Sequence, residues 1–304
     1  MLEAMQPFSL PSFAKINWTL RVLGKRDDSF HELYTVFQTV SLCDILHFAE
    51  SETLELTCEN AAIPTDGRNL IIGAARALQQ KVGISSGASI HLEKRIPSPG
   101  GLGGGSSNAA VALIGLTRLW DVAVDDRLLN EIAVELGSDV PFFLHGGTAI
   151  GTGRGELIDP IDDREAAEML IVTPAVDVST REAFAGLDAA TLTNVDLNRI
   201  LPVCRKDADG LDSYHSVLIN DFERSVFSAY PEIERVKNTL IELGAVTAAM
   251  SGSGASVFAV FDKKETRQAA KKALDARIDV STWRKFVVST ISRDQYSEAL
   301  VIQR

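Results

Sequence analysis

Five of the six residues from Gly100 to Gly105 are glycine, and Ser106-Ser107-Asn108-Ala109-Ala110 follow at once. A regular helix or strand loses stability at every internal glycine, so such a run belongs to a loop whose backbone takes positive φ or lies close against something else. The residues before it, 87–95, alternate apolar and polar as a strand does. Those after it, 106–120, carry the spacing of a helix. Strand, glycine loop and helix in that order expose free amides at a helix N-terminus, where the dipole favours an anion. The stretch Pro97, Gly100, Gly101, Leu102, Gly103, Gly104, Gly105, Ser106, Ser107 and Asn108 is therefore expected to cradle phosphate. It is not a Walker loop, because no lysine follows the glycines. It lacks the βαβ setting of a dinucleotide fingerprint as well.

The rest of the chain fits an α+β protein. In residues 14–22, Ile16, Trp18, Leu20 and Val22 alternate with Lys15, Asn17, Thr19 and Arg21, a strand with Lys15 and Asn17 on one face. Residues 53–58 and 87–95 alternate similarly, which predicts a mixed, mostly antiparallel sheet in the first half. Helices are expected over 68–82, 106–120 and 126–137, the last capped by Asp125 or Asp126. A polar break at Pro160, Asp162 and Asp163 precedes an apolar restart at Met169–Val172. Helices are expected near 213–228 and 231–243, the second opened by Pro231. The tail reads strand (246–250), strand (255–261), helix (263–276), strand (284–291), the order of a ferredoxin-like α/β sandwich. Two domains are expected, 1–157 and 158–304, with a ligand cleft between them.

Composition excludes several functions. Lys plus Arg is 30 against 41 Asp plus Glu, a net charge of −11, which argues against a nucleic-acid binder. Hydrophobic residues are 45% and charged residues 23%, as in a soluble globular chain rather than a disordered one. The three cysteines, Cys43, Cys58 and Cys204, form no CxxC pair, which points to a reducing cytoplasm without a disulfide framework. Met1–Leu10 has no basic, apolar leader, and no apolar run reaches the ~18 residues of a membrane span. No membrane partner is expected.

Four further motifs are ambiguous singly. Gly137-Ser138-Asp139-Val140-Pro141 places Asp139 where a helix cap would serve. Lys15 alone would be an exposed strand lysine. Ser251-Gly252-Ser253-Gly254-Ala255 alone would be a hairpin loop. Phe30-His31-Glu32-Leu33 follows a charged turn, and the other histidines show no metal-ligand spacing.

Together, Ala14-Lys-Ile-Asn17, Pro97 through Ser107, and Ser251-Gly-Ser-Gly-Ala255 resemble the three motifs of the GHMP kinases, in the family's order. The resemblance runs over about residues 11–290 and includes Phe30-His31-Glu-Leu33, Asn69-Leu70, Gly137-Ser-Asp-Val-Pro141 and Asn220-Asp-Phe-Glu223. It implies the two-domain GHMP kinase fold, with an N-terminal ATP-binding and catalytic domain and a C-terminal substrate-side domain. It also implies an ATP-dependent transfer to a small alcohol. The cofactors implied are ATP and Mg²⁺, with Ser106 or Ser107 toward the metal. Asp139 is implied to take the acceptor hydroxyl's proton and Lys15 to pair with it and face the transferred phosphoryl group. Phe30, His31 and Phe184 match positions that hold a cytosine, and Asn17 and Thr180 match polar positions beside the acceptor chain. The substrate class is then a cytidine-diphosphate-linked polyol of the non-mevalonate isoprenoid route. The Ser251–Gly254 loop is implied to lie on the phosphate side. A homoserine- or mevalonate-type kinase and a non-catalytic nucleotide sensor are the alternatives. The first is disfavoured by Phe30-His31, the second by the presence of both Lys15 and Asp139. The partners expected are small molecules, with the protein a monomer or weak homodimer. Three departures stand out: Ser29 replaces a usual turn glycine, Phe30 a common tyrosine, and Pro99 a usual glycine or alanine of the loop.

Overall fold

A computed structural model describes residues 6–187, 197–212 and 216–301. In chain order its first half holds β1 (Phe8–Lys25), β2 (His31–Ala49), β3 (Leu54–Cys58), α1 (Leu70–Val82), β4 (Ala88–Glu93), α2 (Gly104–Leu119), α3 (Asp126–Leu136), α4 (Phe142–His145), β5 (Thr148–Gly153) and β6 (Leu157–Pro160). The second half holds β7 (Met169–Thr173), α5 (Thr180–Ala185), α6 (Leu197–Asp209), β8 (Ile219–Asn220), α7 (Glu223–Ala229), α8 (Pro231–Glu242), β9 (Thr247–Met250), β10 (Val257–Val260), α9 (Lys264–Ala276), β11 (Arg284–Val288) and α10 (Arg293–Leu300).

Two sheets result. The larger has seven strands, running β3-β4-β2-β1-β8 with β5 and β6 continuing from the other half of β2. It is antiparallel except where β3 pairs with β4 and β1 with β8. The smaller has the order β11-β7-β10-β9, every neighbour antiparallel, with helices in the two crossovers. That is the ferredoxin-like arrangement expected from the tail, and the fold class is α+β as read. The helix expected over 126–137 is capped by Asp125, whose side chain accepts from Leu128 N–H.

Three cores explain the patterning. Helices α1, α2 and α3 cover one face of the large sheet through Ile71, Leu78, Val111 and Ile132 against Leu46, Phe48 and Ile90. Ile16, Trp18, Tyr34 and Val36 meet Ile171, Phe258 and Val260 between the sheets, with Trp18 edge-on to Phe258 at 5.4 Å. A third cluster, around Phe222, Ile233, Val257 and Phe261, lies under the helices of the second half. β2 does not alternate because Leu33–Val40 is buried on both faces, with polar Thr35, Gln38 and Thr39 buried among the apolar residues.

Two differences from the sequence reading have a tertiary cause. Of the helix expected over 213–228, 213–215 lie outside the described residues, and Ile219–Asn220 form a strand against Thr19–Leu20 before α7 begins at Glu223. The open edge of β1 supplies backbone partners that local helical spacing cannot anticipate. The same strand, and α10 through Tyr296 beside Phe13, pack with the first half. The halves 1–157 and 158–304 are thus joined through shared elements as well as through the cluster between the sheets.

Candidate active site

Lys15 projects from β1, on the face opposite Ile16 and Trp18, into a cleft of about 400 Å³ lined from both halves of the chain. Its backbone N–H donates to Leu102 O at 3.0 Å, tying the strand to the glycine loop. Its Nζ donates to Asn17 Oδ1 at 2.7 Å and lies 3.5 Å from Asp139 Oδ2. The lysine side chain is 4% exposed and the aspartate 34%. Burial pushes the Lys15 pKa down, and the Asp139 carboxylate opposes that shift. Asp139 caps neither neighbouring helix: Gly137 ends α3, and α4 starts at Pro141 without a side-chain cap. The short turn after α3 instead presents its carboxylate to the lysine. Lys15 and Asp139, 124 positions apart in sequence, are thus brought together.

The loop ahead of α2 is shaped by close backbone approach. Gly101 has φ +70°, and a Cβ there would stand 2.1 Å from Ser251 O. Gly103, at φ +68°, would push a Cβ to 2.9 Å from Lys15 Cγ and Phe143 Cζ. The helix begins at Gly104 rather than Ser106, and its first internal bond runs from Ser107 N–H to Gly103 O. The amides of Gly104, Gly105 and Ser106 are therefore the free ones that an anion can use. The Ser98–Pro99 peptide at the loop's entrance is cis.

The side chains of Ser107 and Asn108 are engaged away from the cleft. Ser107 Oγ accepts from Ser12 Oγ at 2.8 Å, and Asn108 Nδ2 donates to Ser12 Oγ and Asp44 Oδ2 at 2.8 and 2.9 Å. Both are buried and neither lines the cleft. One turn into α2, their side chains point back at the sheet. Of the two serines considered for the metal, Ser106 alone lines the cleft among the described residues.

Asp44 was not singled out by the sequence. It is fully buried and accepts from Lys94 Nζ at 2.7 Å, Arg95 N–H at 2.7 Å and Ile96 N–H at 2.8 Å. It holds the strand end that launches the loop and, through Asn108, the helix that leaves it. An aspartate within the apolar run 40–48 was the available signal.

The Ser251–Gly254 loop bonds to the first half. Ser251 Oγ donates to Gly101 O at 2.9 Å, Ser256 N–H to Gly100 O at 3.2 Å, and Gly252 N–H to Asn17 Oδ1 at 2.9 Å. Asn220 Nδ2 donates to Met250 O and Gly252 O, both at 2.8 Å, while Glu223 accepts from Met250 N–H at 2.9 Å. Asn220 and Glu223 thus shape this loop from a segment first read as helix. Thr180 opens α5 beside its cap position, Ser179, and shares a 3.1 Å hydrogen bond with Ser253.

The opposite end of the cleft is aromatic. Phe184 lines it and stacks on His31 at 4.8 Å with an interplanar angle of 17°. Burial and the Lys25 charge lower the His31 pKa. Phe30 is 53% exposed, and Arg154, which sequence reading did not select, lies 4.9 Å over its ring. Ser29 takes φ +68°, so the turn keeps the glycine conformation at some strain.

A backbone anion cradle beside a buried lysine and a half-open carboxylate defines a phosphotransferase acting on a small molecule. Two family models match: the GHMP kinases N terminal domain over residues 69–147 and the GHMP kinases C terminal over 205–279. The 4-diphosphocytidyl-2-C-methyl-D-erythritol kinase of Chlorobium limicola is 41% identical over 264 residues, 86% of this chain and 91% of that protein. The one of Thermodesulfovibrio yellowstonii is 38% identical over 266 residues, 86% of this chain and 92% of that protein. A crystal structure of 4-(cytidine 5'-diphospho)-2C-methyl-D-erythritol kinase superposes with TM-score 0.75 at 30% identity, covering 93% of this chain and 99% of that one. Homoserine kinase from Cytophaga hutchinsonii shares the fold at 19% identity and TM-score 0.72, over 97% of this chain and 98% of that one. The chain belongs to the GHMP kinases and, within them, to the family of 4-diphosphocytidyl-2-C-methyl-D-erythritol kinases. It is an ATP-dependent small-molecule kinase.

Proposed function

We propose that this chain transfers the γ-phosphoryl group of ATP to the 2-hydroxyl of 4-diphosphocytidyl-2-C-methyl-D-erythritol, a step of isoprenoid precursor synthesis. The observation that carries the reading is one cleft that joins the Gly101–Ser106 loop and the Lys15–Asp139 pair to Phe184, behind which His31 is stacked. The free amides of α2 bind the α- and β-phosphates, and Lys15 neutralises charge on the moving group. Asp139 accepts the hydrogen bond of the acceptor hydroxyl and takes its proton as the new bond forms, a late transfer that suits a carboxylate beside a cation. Phe184 offers a π-face to the cytosine and His31 a ring nitrogen to its edge. Asn17 and Thr180 line the path between.

Mg²⁺ fits as a companion of ATP. The described residues hold no group of three or more His, Cys, Asp or Glu that could bind a metal alone, while Ser106 offers a hydroxyl and Asp139 a carboxylate in the cleft. When bound, the ion neutralises the β- and γ-phosphate oxygens. A monomer or weak homodimer in a reducing cytoplasm completes the proposal. Cys43, Cys58 and Cys204 are all free thiols, which supports the reducing compartment.

The test compares kcat/KM for the cytidylated acceptor with that for free methylerythritol phosphate. The wild type should strongly prefer the cytidylated acceptor. Phe184→Ala should erode that preference by about 1–3 kcal/mol through lost stacking, and His31→Ala by about 1–3 kcal/mol through an unmet base edge, with the KM for ATP held. A wild type indifferent to cytidylation would hand the site to a homoserine- or mevalonate-type reading. Binding of ATP without transfer to any alcohol would leave a sensor.

A further inference from the structure

Among the described residues that line the cleft, three side chains are ionisable: Lys15, Asp139 and Arg154. Lys15 and Asp139 face each other at the reacting end. Arg154 takes no part in that pair. Its guanidinium carbon stands over Phe30, 4.9 Å from the ring centre. Stacking uses the face of a guanidinium and leaves its in-plane N–H groups for an anion. The ion pair with Glu156 runs through Nε at a loose 3.4 Å, and the other Glu156 oxygen accepts from Arg154's own backbone N–H at 2.5 Å. Two further carboxylates nearby are already engaged, Asp28 by Arg26 and Phe30 N–H and Glu32 by Arg26 and Gly153 N–H.

Position gives this cation its meaning. A Cβ on the next residue, Gly155, would stand 3.9 Å from Asp139 Oδ1. Residues 154–155 therefore run from beside the carboxylate to the aromatic turn. An acceptor with its base at Phe184 and its hydroxyl at Asp139 must pass this segment, and what passes is the linkage joining the two ends. We propose that Arg154 is a specificity-determining residue that binds the diphosphate linkage of the acceptor through its guanidinium fork. The inference rests on the acceptor reading above. An arginine matches paired phosphate oxygens in a bidentate way that a lysine does not, and at 28% side-chain exposure its charge is only partly screened.

The test is calorimetric binding of cytidine and of CDP, with the nucleotide end filled by a non-hydrolysable ATP analogue. Wild type should bind CDP more tightly than cytidine. Arg154→Met should lower CDP affinity by about 10- to 100-fold and cytidine affinity by less than about threefold. Arg154→Lys should recover part of the CDP affinity. Unchanged affinity for the ATP analogue shows that both variants are folded. Equal losses for CDP and cytidine, or no loss for either, overturn the assignment and reduce Arg154 to a support for Phe30. A wild type that binds CDP no better than cytidine also overturns it, while leaving the base pocket intact. A wild type that binds neither overturns the acceptor reading and this inference together.

Discussion

At the nucleotide end of the cleft the wall is backbone; at the acceptor end it is side chain. The Gly100–Ser106 loop presents amides to the cleft, and its shape is set by bonds to Ser251 and Ser256 in front and to buried Asp44 behind. Each of those contacts is main chain on at least one side. On the proposed acceptor side Arg154 and Phe184 line the cleft, with Phe30 and His31 packed against them, drawn from a loop, a short helix of the second half, a turn and a strand end. Phosphate is common to every reaction of this type, so a fixed backbone cradle serves it. The alcohol differs between relatives, and side chains on a turn and a short helix can be exchanged without disturbing the cradle.

The comparison can be broken most severely where the two ends meet. Asp139→Asn should cut turnover by ~10²–10⁴, the usual worth of a general base, while ATP affinity stays close to wild type. Single-turnover rates with ATP-analogue binding would check this. Turnover near wild type would strip Asp139 of its role.

The next effect separates cradle from hinge. Gly101→Ala should destabilise the fold by about 2–4 kcal/mol, from a strained positive φ and a clash with Ser251 O, and should weaken ATP binding. Gly105→Ala should leave stability nearly unchanged, because its Cβ would meet only Leu70 Cδ1 at 3.9 Å. Denaturant midpoints and ATP affinities for the pair give the answer. Equal stability of the two variants would mean that the loop–loop contact does not set the cradle.

The smallest effect lies at the acceptor turn. Ser29→Gly should stabilise by less than about 1 kcal/mol, since relief of the φ +68° strain is partly offset by glycine's greater unfolded freedom. A Tm that falls instead would show that the serine side chain holds the turn.

The cradle's location was legible because its requirements are local. Positive φ and close approach demand glycine, and a helix must follow to donate amides, so Gly100–Ser106 announces itself in one dimension. The tail's strand–strand–helix–strand order was equally readable, because alternation and helical spacing are properties of neighbouring residues. Lys15, Asp139, Phe30, His31 and Phe184 were assigned by family resemblance; taken singly, Lys15, Asp139 and His31 each read as an ordinary structural residue.

Tertiary structure decided the rest. It turned Ser107 and Asn108 away from the cleft, because their place one turn into α2 faces buried Ser12 and Asp44. It made a strand of Ile219–Asn220, because β1 offered an unpaired edge 200 residues earlier in the chain. It set Arg154 over Phe30 and beside the path to Asp139, although nothing in Gly153-Arg154-Gly155 marks a ligand residue. Sequence fixes backbone needs within a few residues. Which side chains face one another across a cleft depends on packing between segments more than a hundred residues apart, and no local pattern encodes that distance.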